Sequence, residues 1–136
     1  MYALVDTCVF MDIFFQREKL YDSSLEVFKK LKENKCKIYV SPTTLKDLYY
    51  FSKKATHNNK LANEIVNRIY SVTNKIIDIT ADDAISALYD EGDYEDNLII
   101  ESAKRNMLDC IITRNIKDYN NKGIPVFSPE DFLKYF

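Results

Sequence analysis

Glycine is scarce in this sequence, with two in 136 residues, where ordinary usage of roughly 7% gives about nine or ten. Two glycines cannot build a glycine-rich phosphate cradle. The dinucleotide fingerprint needs three within six residues and the P-loop needs two flanking a Lys-Ser/Thr pair, and neither Gly92 nor Gly123 has such company. No nucleotide cofactor is therefore expected. One histidine, His57, and three scattered cysteines exclude the usual zinc spacings, which place Cys and His in close pairs. Any metal must be held by oxygen. Cys8, Cys36 and Cys110 are odd in number and far apart, which fits a reducing, cytoplasmic setting better than a secreted one. Long apolar runs are also missing. The opening MYALVDTCVFMDIFF has no basic leader and is interrupted by Asp6 and Asp12, so neither a signal peptide nor a membrane span is expected. An excess of positive charge is absent too: 19 Lys and Arg stand against 21 Asp and Glu, for a net charge of -2. Indiscriminate coating of nucleic acid normally needs a broad basic face.

What is present suits one globular domain over residues 1–136, with 46% hydrophobic and 29% charged residues and a length that sustains its own core. Tyr2-Ala3-Leu4-Val5 reads as a buried strand with Asp6 at its carboxyl end. A helix follows, then another capped within Asp22-Ser23-Ser24, carrying Leu25, Phe28, Leu31 and Lys32 on one face and ending at Asn34. Lys37 to Val40 reads as a second strand. Ser41-Pro42 opens a helix with Asp47 a turn and a half inside it. Lys60 to Thr73 puts Leu61, Ile65, Val66, Ile69 and Val72 on one helical face, and Lys75 to Ile79 reads as a third strand. Thr80 and Asp83 form a capping box for a helix through Ala84, Ile85 and Leu88. Asp93 caps the next, through Leu98, Ile99 and Ala103. Cys110-Ile111-Ile112 is a fourth strand, Ile124 to Phe127 a short edge strand, and Ser128-Pro129 starts a final helix. This alternation predicts an α/β fold, a mainly parallel sheet of four or five strands flanked by helices. In such sheets ligands gather outside the carboxyl ends of the strands, where Asp6 and Thr113 fall.

Carboxylates are the chemistry-bearing residues. Asp6, Asp47, the Asp93/Asp96 pair and the Asn115/Asp118 region come from four parts of the chain, each after a strand or near a helix start. Asp93 reads equally as a plain cap, and Asp96 as a first-turn acid favoured by the helix dipole. Acids gathered in one cleft repel each other and raise their own pKa values unless a cation is present. Mg²⁺ or Mn²⁺ suits them, being a hard ion that takes carboxylate oxygens and keeps several waters. Such an ion activates water and offsets charge on a phosphodiester.

Four segments, LVDTCVFMD, SPTTLKDLYY, GDYEDNLIIESAKRN and DCIITRNIKDYNNKGIPVFSPEDFL, together resemble a PIN-domain nuclease, close to the VapC-type toxins of toxin-antitoxin modules. The resemblance spans nearly the whole chain in the family's order. It implies a PIN fold, metal-dependent endoribonuclease activity on an RNA substrate, a cognate antitoxin partner and a homodimer. It implies Asp6 as central metal ligand, Asp96 as its partner, and Asp47 holding or orienting metal-bound water. Thr113 would orient a ligand from the TRN-like segment, with Asp93 in support. Three positions depart from the family. Asp47 stands where Glu is common and is one methylene shorter, which leaves room for a bridging water. Asn115 stands where Asp is common and brings a carbonyl oxygen without charge, so a second metal depends on Asp118. Cys8 stands where Asn, Ser or Thr is common and reads as a small buried hydrophobe.

Lys46, Lys104, Arg105, Arg114 and Lys117 flank the acids. Arg114, next to Thr113, is the leading candidate for a phosphate contact, with Lys46 second; surface solvation is the plainer reading of each. Tyr49, Tyr50 and Phe51 lie consecutively on one helix, so at least one faces outward, a candidate with Phe14, Phe15 or Tyr21 for a dimer or antitoxin contact. His57 reads as a helix-end residue. An alternative function, motivated by Asp47 and Asn115, is a catalytically weak or inactive PIN-fold module that binds RNA or protein.

Overall fold

A computed structural model describes residues 1–119 and 121–136. Five strands, β1 (Tyr2–Val5), β2 (Lys37–Val40), β3 (Lys75–Ile76), β4 (Cys110–Ile112) and β5 (Val126–Phe127), form one sheet in the order β3-β2-β1-β4-β5. All the neighbouring pairs are parallel. The helices between them are α1 (Thr7–Phe14), α2 (Tyr21–Glu33), α3 (Pro42–Thr56), α4 (Asn59–Val72), α5 (Ala81–Tyr89), α6 (Tyr94–Arg105), α7 (Ile116–Tyr119) and α8 (Pro129–Tyr135). The expected α/β architecture with a parallel sheet is what forms.

Strand periodicity sorts the core into two layers. Ala3, Val5, Cys110 and Ile112 face Val9, Phe10, Val27, Leu31, Leu48, Ile69 and Phe132. Leu4 and Ile111 face the other way, onto Ile77, Ile99, Ile100, Ala103, Tyr119 and Ile124. Ala3, Leu4, Val5, Ile111 and Ile112 have no exposed surface, as expected of central strands covered on both sides. The chain runs from β1 outward to β2 and β3, then returns to β4 on the opposite edge of β1. This reversal opens a crevice at the carboxyl ends of β1 and β4. Val5 is in register with Ile112, and the Asp6 amide donates to the Ile112 carbonyl (3.0 Å). Asp6 and Thr113 therefore leave the sheet side by side.

The helix starts largely follow the caps. The Ser41 hydroxyl accepts from the Thr44 amide, Thr80 and Asp83 close their capping box, and Ser128 caps α8. Gly92 sits in the α5–α6 turn at φ 102°, a backbone region that disfavours any side chain. Several expectations need correction. The start of α2 has no side-chain cap, because the hydroxyls of Ser23 and Ser24 accept from Arg114 instead. Its buried stripe is Ser24, Val27 and Leu31, with Leu25 and Phe28 only partly covered. In α4, Ala62 and Ile69 are buried while Leu61 and Val72 are exposed, because α4 packs chiefly against α3 and one neighbour covers only a narrow stripe. The expected helix through Ala84, Ile85 and Leu88 forms as α5, with Ile85 and Leu88 exposed and Asp83 and Ala87 facing inward. The third strand ends at Ile76, three residues earlier than expected.

One charged knot ties distant parts of the chain together. Asp12 has no exposed surface; it accepts from Arg114 Nε (2.8 Å) and Ser24 Oγ (2.7 Å). The same guanidinium reaches both Glu130 oxygens, the Leu20 carbonyl and both α2 serines. It thereby joins α1, α2, α8 and the segment after β4. Removing one partner of such a pair strands a charge in the interior, which costs about 3–5 kcal/mol. Arg114→Leu is expected to lose stability in that range by urea denaturation, while Lys134→Leu, in a surface pair, stays within about 1 kcal/mol of wild type.

Candidate active site

Asp6 is built into the crevice by backbone geometry. Its extended φ and ψ place it as the cap of α1, with Oδ1 accepting from the Thr7 amide (2.7 Å). Oδ2 accepts from the Thr113 hydroxyl (2.7 Å) and the Cys8 thiol (3.2 Å). Cys8 is thus a partly buried, hydrogen-bonded member of the site rather than the small buried hydrophobe expected. Burial, and then the Asp6 charge, push its thiol up to about 12, so it stays protonated and donates. Cys8 Sγ in turn accepts from the Arg114 amide.

The hydrogen bonds continue from Asp6 to a second acid. Thr113 Oγ1 accepts from the Asn115 amide (3.0 Å), and Asn115 Nδ2 donates to Asp96 Oδ2 (3.0 Å). Asp96 lies in the first turn of α6, after the cap Asp93. Its carboxyl is raised to about 6, first by burial, with the charges of Asp6, Asp93 and Asp118 adding and the nearby Tyr119 hydroxyl pulling the other way. The ion pairs of the region go elsewhere: Lys46 to Asp47 (3.1 Å), and Arg114 to Asp12 and Glu130. Asp6 and Asp96 are held by neutral donors.

Both line a cavity of about 680 Å³ together with Asp47, Asn115, Lys46 and Arg114. Helix α3 brings Thr43, Lys46, Asp47 and Phe51, and α6 brings Tyr94, Glu95 and Asp96. Among the described residues, no three His, Cys, Asp or Glu side chains stand close enough to form a ready metal cluster. Asp47, with a third of its side chain exposed, lines the cavity without closing such a set. Asp93 is a cap that accepts from the Glu95 and Asp96 amides and lies outside the lining. Asp118 is exposed and reaches Asp96 only through its field. The Arg114 guanidinium is committed to the buried knot, so the more accessible cation at this cavity is Lys46, which pairs with Asp47 and whose side chain is 69% exposed. Sequence reasoning missed Tyr119. It lies in a stretch that reads as polar loop, yet it is fully buried and its ring lines the cavity. Only its aromatic character among polar neighbours hinted at this.

The PIN domain model matches residues 2–117. The chain belongs to the PIN domain family. This PIN domain is similar in fold to VapBC2 from Rickettsia felis, solved with a promoter DNA fragment, at 19% identity and a TM-score of 0.71 over 94% of this chain and 98% of that one. A toxin–antitoxin complex from Klebsiella pneumoniae is 26% identical with a TM-score of 0.67, over 93% and 97%. VapC20 of Mycobacterium tuberculosis, a toxin that cleaves the sarcin-ricin loop, is 14% identical with a TM-score of 0.66, over 90% and 95%. A gamma-glutamyl phosphate reductase of Brachyspira hyodysenteriae is 33% identical over 85 residues, which are 57% of this chain and 19% of that protein. The chain thus spans only a small part of that curated relative. Among the described residues, no helix of this PIN domain is long and apolar enough to cross a membrane.

The raised Asp96 sets a pH dependence whose sign follows from linkage. The folded state binds the Asp96 proton more tightly than the unfolded chain. That stabilisation is complete below the ordinary carboxylate range and is lost as pH rises through about 6. Asp96→Asn, which keeps an oxygen for Asn115, is expected to raise the melting temperature of metal-free protein by a few degrees at neutral pH. The gain shrinks to nothing near pH 4, as thermal melts across that range will read.

Proposed function

We propose that this PIN domain is a divalent-metal-dependent endoribonuclease and the toxin of a toxin–antitoxin pair. The observation that carries this reading is the joined pair Asp6 and Asp96, held by Thr113 and Asn115 in one cavity and, among the described residues, paired with no side-chain cation. Acids gathered in this way fit a hard divalent cation, Mg²⁺ or Mn²⁺. Asp6 and Asp96 would hold the ion directly or through water, with Asp47 reaching it through a water. When bound, it would supply an activated water and offset charge on the phosphodiester.

The chain's own residues do the rest. Thr7, Thr113 and Cys8 fix the Asp6 carboxylate, and Asn115 fixes that of Asp96. Asp47 orients water on the α3 side, and Lys46 meets a phosphate flanking the scissile one. Phe51 and Tyr94 line the cavity and are 38% and 41% exposed. They suit the stacking of unpaired bases, which supports an RNA substrate without a broad basic face. The Klebsiella relative, a toxin–antitoxin complex, supports a cognate antitoxin partner, and a homodimer belongs to the same reading, with the exposed Tyr50 among the surfaces available to both. Three scattered free cysteines fit a cytoplasmic setting. A second reading, a binding module without efficient catalysis, is favoured by the neutral Asn115 and by the open arrangement of Asp47.

Cleavage of stem-loop and single-stranded RNAs by purified protein is expected with Mg²⁺ or Mn²⁺ and is abolished by chelator. Asp6→Asn is expected to reduce the rate at least about a hundredfold, the scale of several kcal/mol of charge stabilisation. Cleavage that persists in chelator overturns the metal mechanism, while metal and RNA binding without cleavage selects the binding module.

A further inference from the structure

The hydroxyl of Tyr119 has no part in the mechanism above. The residue lies on α7 with no exposed surface, its ring packed in the apolar layer with Leu4, Ile99, Ile111 and Ile124. Among the described residues its oxygen has no hydrogen-bond partner. A buried hydroxyl without a partner works against folding, and phenylalanine would fill the same apolar space without that penalty. Tyr119 lines the acidic cavity, and its hydroxyl stands near enough to Asp96 to draw that carboxyl's pKa down without meeting the geometry of a formed hydrogen bond. A carboxylate only accepts, so a phenol hydroxyl facing Asp96 acts there as the donor. The two acids are unequally supplied. Asp6 receives donors on both oxygens, from Thr7, Thr113 and Cys8. Asp96 receives a side-chain donor from Asn115 on Oδ2, and Tyr119 is the hydroxyl next to it.

We propose that Tyr119 is a positioning residue of the acidic cavity, whose hydroxyl donates to Asp96 when that carboxylate turns onto a divalent cation. This rests on the metal-dependent reading and extends it to a residue outside the acidic set. The hydroxyl is then orphaned in the metal-free protein and satisfied in the loaded one. A tyrosine retained only for packing has no such asymmetry.

Tyr119→Phe removes the oxygen and nothing else, and Mn²⁺ alone is the probe. Thermal melts in chelator are expected to show the variant at least as stable as wild type. Calorimetric titration is expected to show Mn²⁺ binding weakened about tenfold, the scale of a hydrogen bond to a charged group. Tyr135→Phe, at an exposed position, changes neither measurement. In RNA cleavage at saturating metal, kcat falls while KM for RNA holds. A variant that melts lower in chelator and binds Mn²⁺ as tightly as wild type assigns the hydroxyl to packing and overturns the proposal. Wild-type protein that takes up no Mn²⁺ overturns both the metal-dependent reading and this one, whereas wild-type binding matched by the variant overturns the Tyr119 role alone.

Discussion

The 2.7 Å hydrogen bond from Thr113 to Asp6 joins the carboxyl ends of β4 and β1, and the arrangement of the acidic cavity depends on it. Residues 107 positions apart become neighbours because the sheet order places β4 against β1 rather than against β3. Thr113 then passes the connection to Asn115 through its oxygen, and Asn115 passes it to Asp96. Each link is a neutral donor. A lysine or arginine in the same place would hold the carboxylates equally well but would cancel the charge that attracts a cation. The result is two acids fixed in direction yet left electrostatically incomplete.

Holding such a pair requires a rigid support, and Arg114 supplies it from the far side. Its backbone amide meets Cys8 at the cavity, while its guanidinium is drawn into the protein by buried Asp12 and by Glu130 on α8. The segment carrying Thr113 and Asn115 is thus anchored through the residue between them. Buried ion pairs are weak contributors to net stability but strict about geometry, since neither charge has another place to go. The final helix, distant in sequence from every site acid, takes part in the site through Glu130.

Much of this is legible in the amino-acid sequence, and the reasons are local. Asp6 announces itself as the first polar residue after an apolar run. Ser41-Pro42, Thr80 with Asp83, Asp93 and Ser128-Pro129 mark helix starts because capping is a property of a few adjacent residues. The failures are tertiary. No local signal says that Ser23 and Ser24 will serve an arginine 90 residues away, so they read as caps. Arg114 reads as a free cation because Asp12 and Glu130 are remote in sequence. Leu61, Val72, Ile85 and Leu88 fit a helical stripe, but how much of that stripe is covered depends on how many neighbours a helix has. Tyr119 sits among Asp, Asn and Lys, where only the packed fold reveals that the chain dips back into the core.

The charge balance of the whole molecule follows from the same economy of contacts. A slightly acidic protein gains little from long-range attraction to a polyanion, and its cavity is itself lined by acids. Under the proposed function, contact with RNA would be short-ranged: a divalent cation at the scissile phosphate, Lys46 at its neighbour, and the rings of Phe51 and Tyr94 against unpaired bases. The ring contacts would require nucleotides that can leave a helix and enter a crevice. On that reading the lack of net positive charge would favour an unpaired RNA segment presented close to the cavity, and recognition and chemistry would both wait on loading of the metal.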